Sequence, residues 1–228
     1  MKSISNDRLP LLTKRLNHLD KKEPDIKSRD KILAAARSEF IRGGFNGARM
    51  QSIADAAGIN KALLHYYYKN KESLFELVFN DAFAEFIPKL HSIFSGEGSV
   101  LEKTEKYVEA HLSLLMEKPD LPLFVLTEIH RDPERFFENF MNKLPGEPPF
   151  ARFLQQIANE MREGKIRTMN PRELWMNVMS MTVFPFASRP MLQRLTLMAD
   201  REFQELMTQR KKSMMQFIRY AIEIPVNN

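Results

Sequence analysis

The stretch that decides the fold is MQSIADAAGINKALLHYYYK, Met50 to Lys69. Two short helices that cross steeply need a small residue where they meet and a residue that tolerates a left-handed backbone where the chain turns. Ala54 and Gly58 meet these two requirements. Apolar residues must then seal the pair, and they stand at Ile53, Ala57, Ile59 and Leu64. The six matches at fixed spacing predict a helix-turn-helix, since an ordinary helical hairpin would meet all six only by coincidence.

Helix signals surround the motif on both sides. Ser28 can cap a helix that Gly43-Gly44 ends, and Asn60 can cap the second helix of the motif. Asn70 can cap a longer helix, which Pro88 should kink or shorten. Short apolar stripes at helical spacing fill the segments between these signals, so the first part of the chain is predicted to be a small helical domain.

Longer helices follow a loop at residues 95–99. No alternation typical of a strand persists for five residues, and no internal repeat is present. We expect helices over about 100–117, 121–130, 133–143, 150–163, 170–184 and 200–222. The sequence therefore predicts an all-α protein with three parts: a basic extension over 1–27, a helix-turn-helix domain over 28–75 with its motif at 49–68, and a larger helical bundle over 76–228.

The composition argues against several classes of protein. The 228 residues include no cysteine, which excludes disulfides and thiolate metal sites, and the five histidines are scattered. The short motifs of metalloproteases, di-iron bundles, serine hydrolases and P-loop enzymes are missing. The first thirty residues lack the apolar run of a signal peptide, and the longest uncharged stretch, Leu174 to Ser188, is too short to span a bilayer. We expect a cytoplasmic protein that is no enzyme, has no membrane partner and needs no metal or cofactor.

The charge is unevenly distributed along the chain. The net charge is +5, yet the first 71 residues hold 15 Lys/Arg against 7 Asp/Glu, so the remainder is slightly acidic. A basic N-terminal part and a slightly acidic remainder indicate an anionic partner for the N-terminal part alone. A basic face that is merely solvated would show the same distribution of charge.

The segment Arg29 to Phe79 resembles the DNA-binding domain of the TetR family of transcriptional regulators. The matching features are the apolar pattern of the first helix, IA--AG in the second, a short third helix ending in aromatics, and K-NKE-L at the start of the fourth. The sequence departs from the family at His65, where tyrosine is usual, and at Tyr67, where histidine is frequent. The resemblance implies a DNA-binding regulator, most simply a ligand-responsive repressor that binds a palindromic operator as a dimer.

The short third helix would enter the major groove, because its N-terminal end faces base edges in this motif. Leu64 and Tyr68 should face inward, and Tyr67 in part. Lysine can contact guanine and small apolar groups can meet a thymine methyl, while tyrosine hydroxyls and the first turn of the fourth helix can bind phosphates. The predicted DNA-contacting residues are Arg49, Gln51, Ser52, Lys61, Ala62, Leu63, His65, Tyr66, Tyr67, Lys69 and Lys71.

The resemblance assigns ligand sensing and dimerisation to the rest of the chain. A homodimer would pair the last two long helices, about 170–184 and 200–222, because two reading heads must reach successive major grooves. A small apolar or amphipathic effector would bind among the middle helices. The candidate pocket residues are His111, Phe124, Glu128, Phe137, Trp175, Met179 and Phe184, although core packing is the simpler explanation for any one of them.

Two other functions stay open at this point. A dimeric architectural DNA-binding protein without a ligand would show the same motif, and a helical enzyme without a known motif would lack specific duplex binding. Ligand-dependent stabilisation separates the first from a sensor, and salt-sensitive binding to one palindrome separates the second. Activation and repression are not distinguished, since the same contacts serve both.

Overall fold

The computed structural model describes residues 26–224, which form twelve α-helices and no strand. The extension predicted over residues 1–27 lies outside this range except for its last two residues. The helices are α1 (Ile26–Gly47), α2 (Met50–Ala57), α3 (Lys61–Tyr67), α4 (Lys71–Phe83), α5 (Phe86–Ser95), α6 (Val100–Glu117), α7 (Leu121–Arg131), α8 (Pro133–Met141), α9 (Phe150–Arg162), α10 (Pro171–Ala187), α11 (Arg189–Thr196) and α12 (Asp200–Ile222). The predicted all-α class is confirmed.

The chain divides into two compact units, and the boundary falls within α4, between Val78 and Phe79. In the first unit α1, α2 and α3 enclose a core whose fully buried members are Ile32, Ala36, Phe40, Ile53, Ala54, Leu64, Leu74 and Val78. Phe75 adds edge-to-face contacts to Phe40 and Phe45, with ring centroids 5.2 and 5.4 Å away. The helical spacing of these side chains places them on facing stripes, so burial of one face fixes each helix.

The first helix is interrupted where the sequence predicted its end. Gly44 has φ 63° and ψ −178°, a conformation outside the helical region, and a short helical turn continues to Gly47. An L-residue rarely adopts this backbone, so glycine is required there. Gly43 is constrained by space instead, because a Cβ at that position would lie 3.1 Å from the backbone nitrogen of Ala48.

The predicted long fourth helix is in fact two helices, α4 and α5, separated at Ala84 and Glu85. Pro88 has no N–H with which to bond the carbonyl of Ala84, so a continuous hydrogen-bond ladder cannot pass this point. The second helix therefore restarts at Phe86, and Pro88 lies in its first turn, where a missing donor costs little.

In the second unit α6 is the central helix and packs against α5, α9, α10 and α12. It begins with a capping box, in which Ser99 and Glu102 satisfy each other's backbone donors. A buried polar cluster joins its first turn to α9: the carboxylate of Glu160 accepts from the backbone nitrogen of Val100 at 2.9 Å. Lys103 donates to the side chain of Gln156 at 2.8 Å. These bonds compensate for burying charged groups.

Pro185 does not end α10, contrary to the sequence prediction; the helix continues to Ala187. A proline inside a helix leaves the carbonyl four residues earlier without its donor, which here is that of Met181. The guanidinium of Arg210, on α12, donates to this oxygen at 3.2 Å. A tertiary contact therefore replaces the lost helical bond.

The eight-residue helix α11, between the last two long helices, was not predicted from the sequence. It ends at Leu197, which has φ 53°, and this left-handed residue lies almost fully in solvent. Because the left-handed conformation costs free energy for a residue with a side chain, a leucine at this position does not predict a helix end.

Within residues 26–224, no helix combines the length and the apolar character needed to cross a bilayer.

Candidate nucleic-acid interface

The turn between α2 and α3 has the geometry that the motif requires. Gly58 caps α2 in the left-handed conformation, with φ 71° and ψ 30°. The next residue, Ile59, returns its backbone N–H to the carbonyl of Ala54 at 3.0 Å. Ala54 is fully buried, so a larger side chain would have no space between the two helices. The left-handed glycine and the small alanine together set the crossing of α2 and α3.

The N-terminus of α3 is capped and directed outward. The side chain of Asn60 accepts from the backbone N–H of Leu63 at 2.7 Å, as an N-cap asparagine should. Leu64 is the buried residue of this helix and anchors it to the core. The exposed residues of the helix are Lys61, Ala62, His65 and Tyr66, while Leu63 and Tyr67 are half-buried.

The three consecutive tyrosines have graded exposure within the described first unit. Tyr66 is exposed, whereas Tyr67 and Tyr68 are half-buried. Their rings contact in sequence, with centroids of Tyr66 and Tyr67 5.5 Å apart and those of Tyr67 and Tyr68 6.5 Å apart. Such edge contacts stiffen the side chains at the C-terminal end of α3. His65 is tied down as well, because its Nδ1 lies 3.3 Å from the carbonyl oxygen of Lys69.

The predicted contacts on α2 lie at its start. Arg49 and Gln51 are exposed and Ser52 is half-buried. Gln51 donates to the carboxylate of Asp55 at 2.7 Å, which orients its amide along the exposed face.

Glu39 is a residue that sequence reasoning missed. It is buried on α1, and one of its oxygens accepts from the backbone nitrogen of Arg49 at 3.2 Å. Its other oxygen pairs with the guanidinium of Arg42. Glu39 therefore fixes the backbone where α2 begins. A lone acidic residue in an apolar stripe was the only sign of it in the sequence.

Lys71 has a second role that the sequence did not indicate. Its ammonium donates to the carbonyls of Asn46 and Ala48 at 3.1 and 3.2 Å and lies 4.8 Å from the ring centroid of Phe45. It therefore fastens the turn before α2 to the start of α4, where Asn70 accepts from Ser73. Lys69, by contrast, is exposed.

The geometry is that of a helix-turn-helix with an outward third helix, and the comparisons agree with it. Residues 32–78 match the model of the bacterial regulatory proteins, tetR family. This segment is of the TetR type. The chain is 25% identical over 143 residues to the HTH-type transcriptional regulator RutR of Escherichia coli K12. These aligned residues make up 63% of this chain and 66% of RutR. The chain is 38% identical over 60 residues to the repressor NicS of Pseudomonas putida, 26% of this chain and 28% of NicS.

Among solved structures, the ketosteroid transcriptional regulator KstR2 of Mycobacterium tuberculosis is similar in fold. It has a TM-score of 0.64 at 15% identity, covering 86% of this chain and 95% of that one. The chain spans just under two thirds of the length of RutR and much less of NicS. TetR family proteins are DNA-binding transcriptional regulators and not enzymes, which confirms the expectation from the missing catalytic motifs.

The predicted pocket residues in the second unit differ in their exposure to solvent. His111, Phe124 and Glu128 are buried and Trp175 is half-buried, whereas Phe137, Met179 and Phe184 are exposed, Phe137 with 61% of its surface free. Helical spacing alone did not show which of these aromatics face solvent, because α8 and α10 carry apolar residues on more than one face. The assignment of a shared pocket to these seven residues stays a prediction.

His111 belongs to a buried hydrogen-bonded group that joins α6 to α10. Its Nδ1 lies 2.7 Å from the Tyr107 hydroxyl and 3.1 Å from that of Thr182. Phe86 stacks on its ring, with centroids 5.1 Å apart. Burial lowers the pKa of His111 to about 4 and raises the pKa of Tyr107 well above its usual range. Both side chains are therefore neutral at physiological pH, and the group is polar without charge.

Proposed function

We propose that this protein is a ligand-responsive repressor that binds a palindromic operator as a homodimer. The observation that carries the proposal is the exposed face of α3. That helix is capped at its start, anchored by Leu64 and open to solvent along Lys61, Ala62, His65 and Tyr66. A helix held this way can insert its N-terminal end in a major groove without rearrangement of the first unit.

The residues of this face suit a division between base reading and positioning. Lys61 can contact guanine O6/N7, and the methyl group of Ala62 can meet thymine. Tyr66 and Arg49 supply donors for phosphates on either side of the groove. Lys69 is the exposed cation at the mouth of α4, which makes it a better phosphate contact than Lys71, whose ammonium already holds two carbonyls.

Two outward faces of the last long helices support the dimer. On α12 an exposed stripe recurs at spacings of three and four, formed by Leu206, Gln209, Ser213, Phe217 and Tyr220. On α10 a narrower stripe of apolar and small residues is exposed or half-buried, formed by Met176, Ser180, Val183 and Ala187. Phe217 leaves 64% of its surface free and Tyr220 73%, which is costly for large side chains unless a partner covers them. Stripes of this period pack as a four-helix bundle when two copies meet.

Ligand response would follow from a two-state dimer. One state holds the two reading heads about 34–36 Å apart, the spacing of successive major grooves. An effector that binds the other state more tightly shifts the population and lowers operator affinity. The boundary between the two units falls within α4, so this helix is the covalent path by which a change in the second unit reaches the first.

The test is selection of bound duplexes from a random pool with the full chain. We expect an enriched palindrome whose half-sites are separated by about one helical turn, with affinity that falls steeply with salt. Enrichment of a single half-site, or of no sequence, would contradict the dimeric repressor. A palindrome whose binding no small molecule changes would favour the architectural alternative.

A further inference from the structure

A pocket of about 210 Å³ opens in the second unit where α4 gives way to α5. It combines apolar walls with two polar side chains, and its lining consists of Asn80, Phe83, Ala84, Ile87, Pro88 and Lys143. This volume is below the range of about 300–1,000 Å³ that is typical of ligand pockets. It therefore suits a compact ligand, and none of its lining residues was among the pocket residues predicted from the sequence.

The apolar wall is held in place before any ligand arrives. Ile87 is fully buried, and Phe83 is nearly so. The ring of Phe83 meets those of Phe136 and Phe140 edge to face, with centroids 6.2 and 6.0 Å away. Both rings belong to α8, so this helix braces the wall from behind. A preformed wall lowers the ordering cost of binding.

The polar part of the pocket carries positive charge and no acid. The ammonium of Lys143 and the amide of Asn80 make no ion pair or side-chain hydrogen bond within residues 26–224. The neighbouring carboxylate of Asp81 is occupied by the ammonium of Lys118 at 3.2 Å. Lys143 therefore has no carboxylate competing for it among the lining residues, and Asn80 adds a neutral donor.

We propose that this pocket binds a compact amphipathic carboxylate. Its anion pairs with Lys143 and accepts from the amide of Asn80, while its apolar body packs on Ala84, Pro88 and the accessible edge of Phe83. An ammonium and an amide that line one pocket beside apolar side chains distinguish a carboxylate from an uncharged molecule of the same shape. The inference rests on the proposed ligand response, for which it names the class of effector.

The position of the pocket provides the regulation. Ala84 lies in the break between α4 and α5 and Pro88 in the first turn of α5, and both line the pocket. Because Pro88 cannot donate to Ala84, the joint lacks this one helical hydrogen bond, although Ala84 still donates to the carbonyl of Asn80 at 2.7 Å. A ligand that contacts both residues fixes the joint in one geometry.

A larger groove of about 630 Å³ on α12 is less suited to an anion. Its lining includes Lys211 and Arg219, but Glu105 lies 3.7 Å from the first and 3.3 Å from the second. Lys211 also pairs with Glu109 at 2.9 Å. An anion would have to displace these carboxylates.

The experiment is calorimetric titration of the full chain with benzoate and hexanoate, each compared with its uncharged amide. We expect both acids to bind at least tenfold more tightly than benzamide and hexanamide. Lys143→Met should remove that preference, whereas Lys89→Met, an exposed lysine of α5 outside the lining, should preserve it. Ala84→Trp fills the pocket from an exposed position and should abolish binding of all four probes.

Equal binding of acids and amides, an unchanged preference in Lys143→Met, or no binding of any probe would overturn the inference. Operator affinity is measured separately with each saturating acid. If an acid binds with the expected variant pattern and operator affinity stays unchanged, the site stands and the ligand-responsive part of the proposed function falls. If the acids fail to bind while the selected palindrome still enriches, the site falls and the DNA-binding part stands.

Discussion

The two units each expose a helical face, and the two faces differ in chemistry. The face of α3 presents an ammonium, an imidazole and a phenol around Ala62, whereas the face of α12 presents Leu206, Phe217 and Tyr220. Polar donors stay solvated until a polyanion replaces the water, but large apolar side chains gain free energy only from another apolar surface. The kind of partner is therefore indicated by the chemistry of the exposed groups and not by their exposure alone.

The largest effect should come from breaking the turn that presents the α3 face. Gly58→Val places a β-branched residue at φ 71°, which costs about 1–3 kcal/mol of backbone strain and shifts α3. We expect loss of operator binding in a mobility-shift assay, with the second unit still helical by circular dichroism.

Gly58→Asn is the matched control, since asparagine tolerates the left-handed region and no atom lies within 4 Å of a Cβ built there. It should retain most of the binding. A fully active Gly58→Val variant would contradict the role given to this turn.

Breaking the α12 face should separate dimerisation from folding. Phe217→Glu puts a charge into the proposed seam, so we expect a monomer in sedimentation analysis and operator affinity at least a hundredfold weaker, as the two half-sites are no longer bound together. Lys212→Glu, an exposed change on another side of the same helix, should remain dimeric. A Phe217→Glu protein that sediments as the wild type does would place the interface elsewhere.

The buried group around His111 predicts a pH dependence confined to the second unit. Its folded pKa of about 4 lies below the unfolded value near 6.5. The unfolded chain therefore gains a proton first as pH falls, and stability is lost from about pH 6.5 down to about pH 4, with no further loss below. The difference amounts to about 3 kcal/mol.

Urea unfolding of the wild type and of His111→Gln between about pH 6.5 and pH 4 measures this loss of stability. The unfolding free energy of the glutamine variant should fall by about 3 kcal/mol less over this pH range, because glutamine has no proton to gain. Parallel curves for the two proteins would show that His111 titrates normally in the fold.

The smallest effect should sharpen the assignment of the cations near α3. Lys69→Ala should weaken binding to all duplexes and reduce the salt slope by about one, as expected for one lost phosphate contact. Lys71→Ala should instead lower the stability of the first unit by about 1–3 kcal/mol, since it leaves two carbonyls without their charged donor. Salt titrations of duplex binding and thermal melts of both variants distinguish the two lysines. If Lys69→Ala lowered stability and Lys71→Ala lowered the salt slope, the phosphate contact would belong to Lys71 and the structural role to Lys69.

The sequence predicted the first unit well because its constraints are local. Ala54, Gly58 and the four sealing residues act within fifteen positions, and the caps at Asn60 and Asn70 act within three. The DNA-contacting assignments on α3 follow from this register and stay predictions until a complex is measured. The roles of Lys71 and Glu39 were missed, because each depends on a partner at least ten residues away.

The second unit shows where local reasoning ends. Asn170 and Pro171 predict the start of α10, but the continuation of this helix past Pro185 depends on a hydrogen bond from Arg210 of α12. In the same way, Pro88 predicted an interruption of the helix, but the adjacent pocket also requires Lys143, which is distant in sequence.

By itself the sequence determined the helical class, the helix-turn-helix and its family, since spacing, caps and glycines act over a few residues of chain. Only the tertiary structure decided which apolar side chains are covered and which polar groups are already satisfied. The physical reason is that burial and pairing depend on neighbours that are distant in sequence, and helical periodicity carries no information about them.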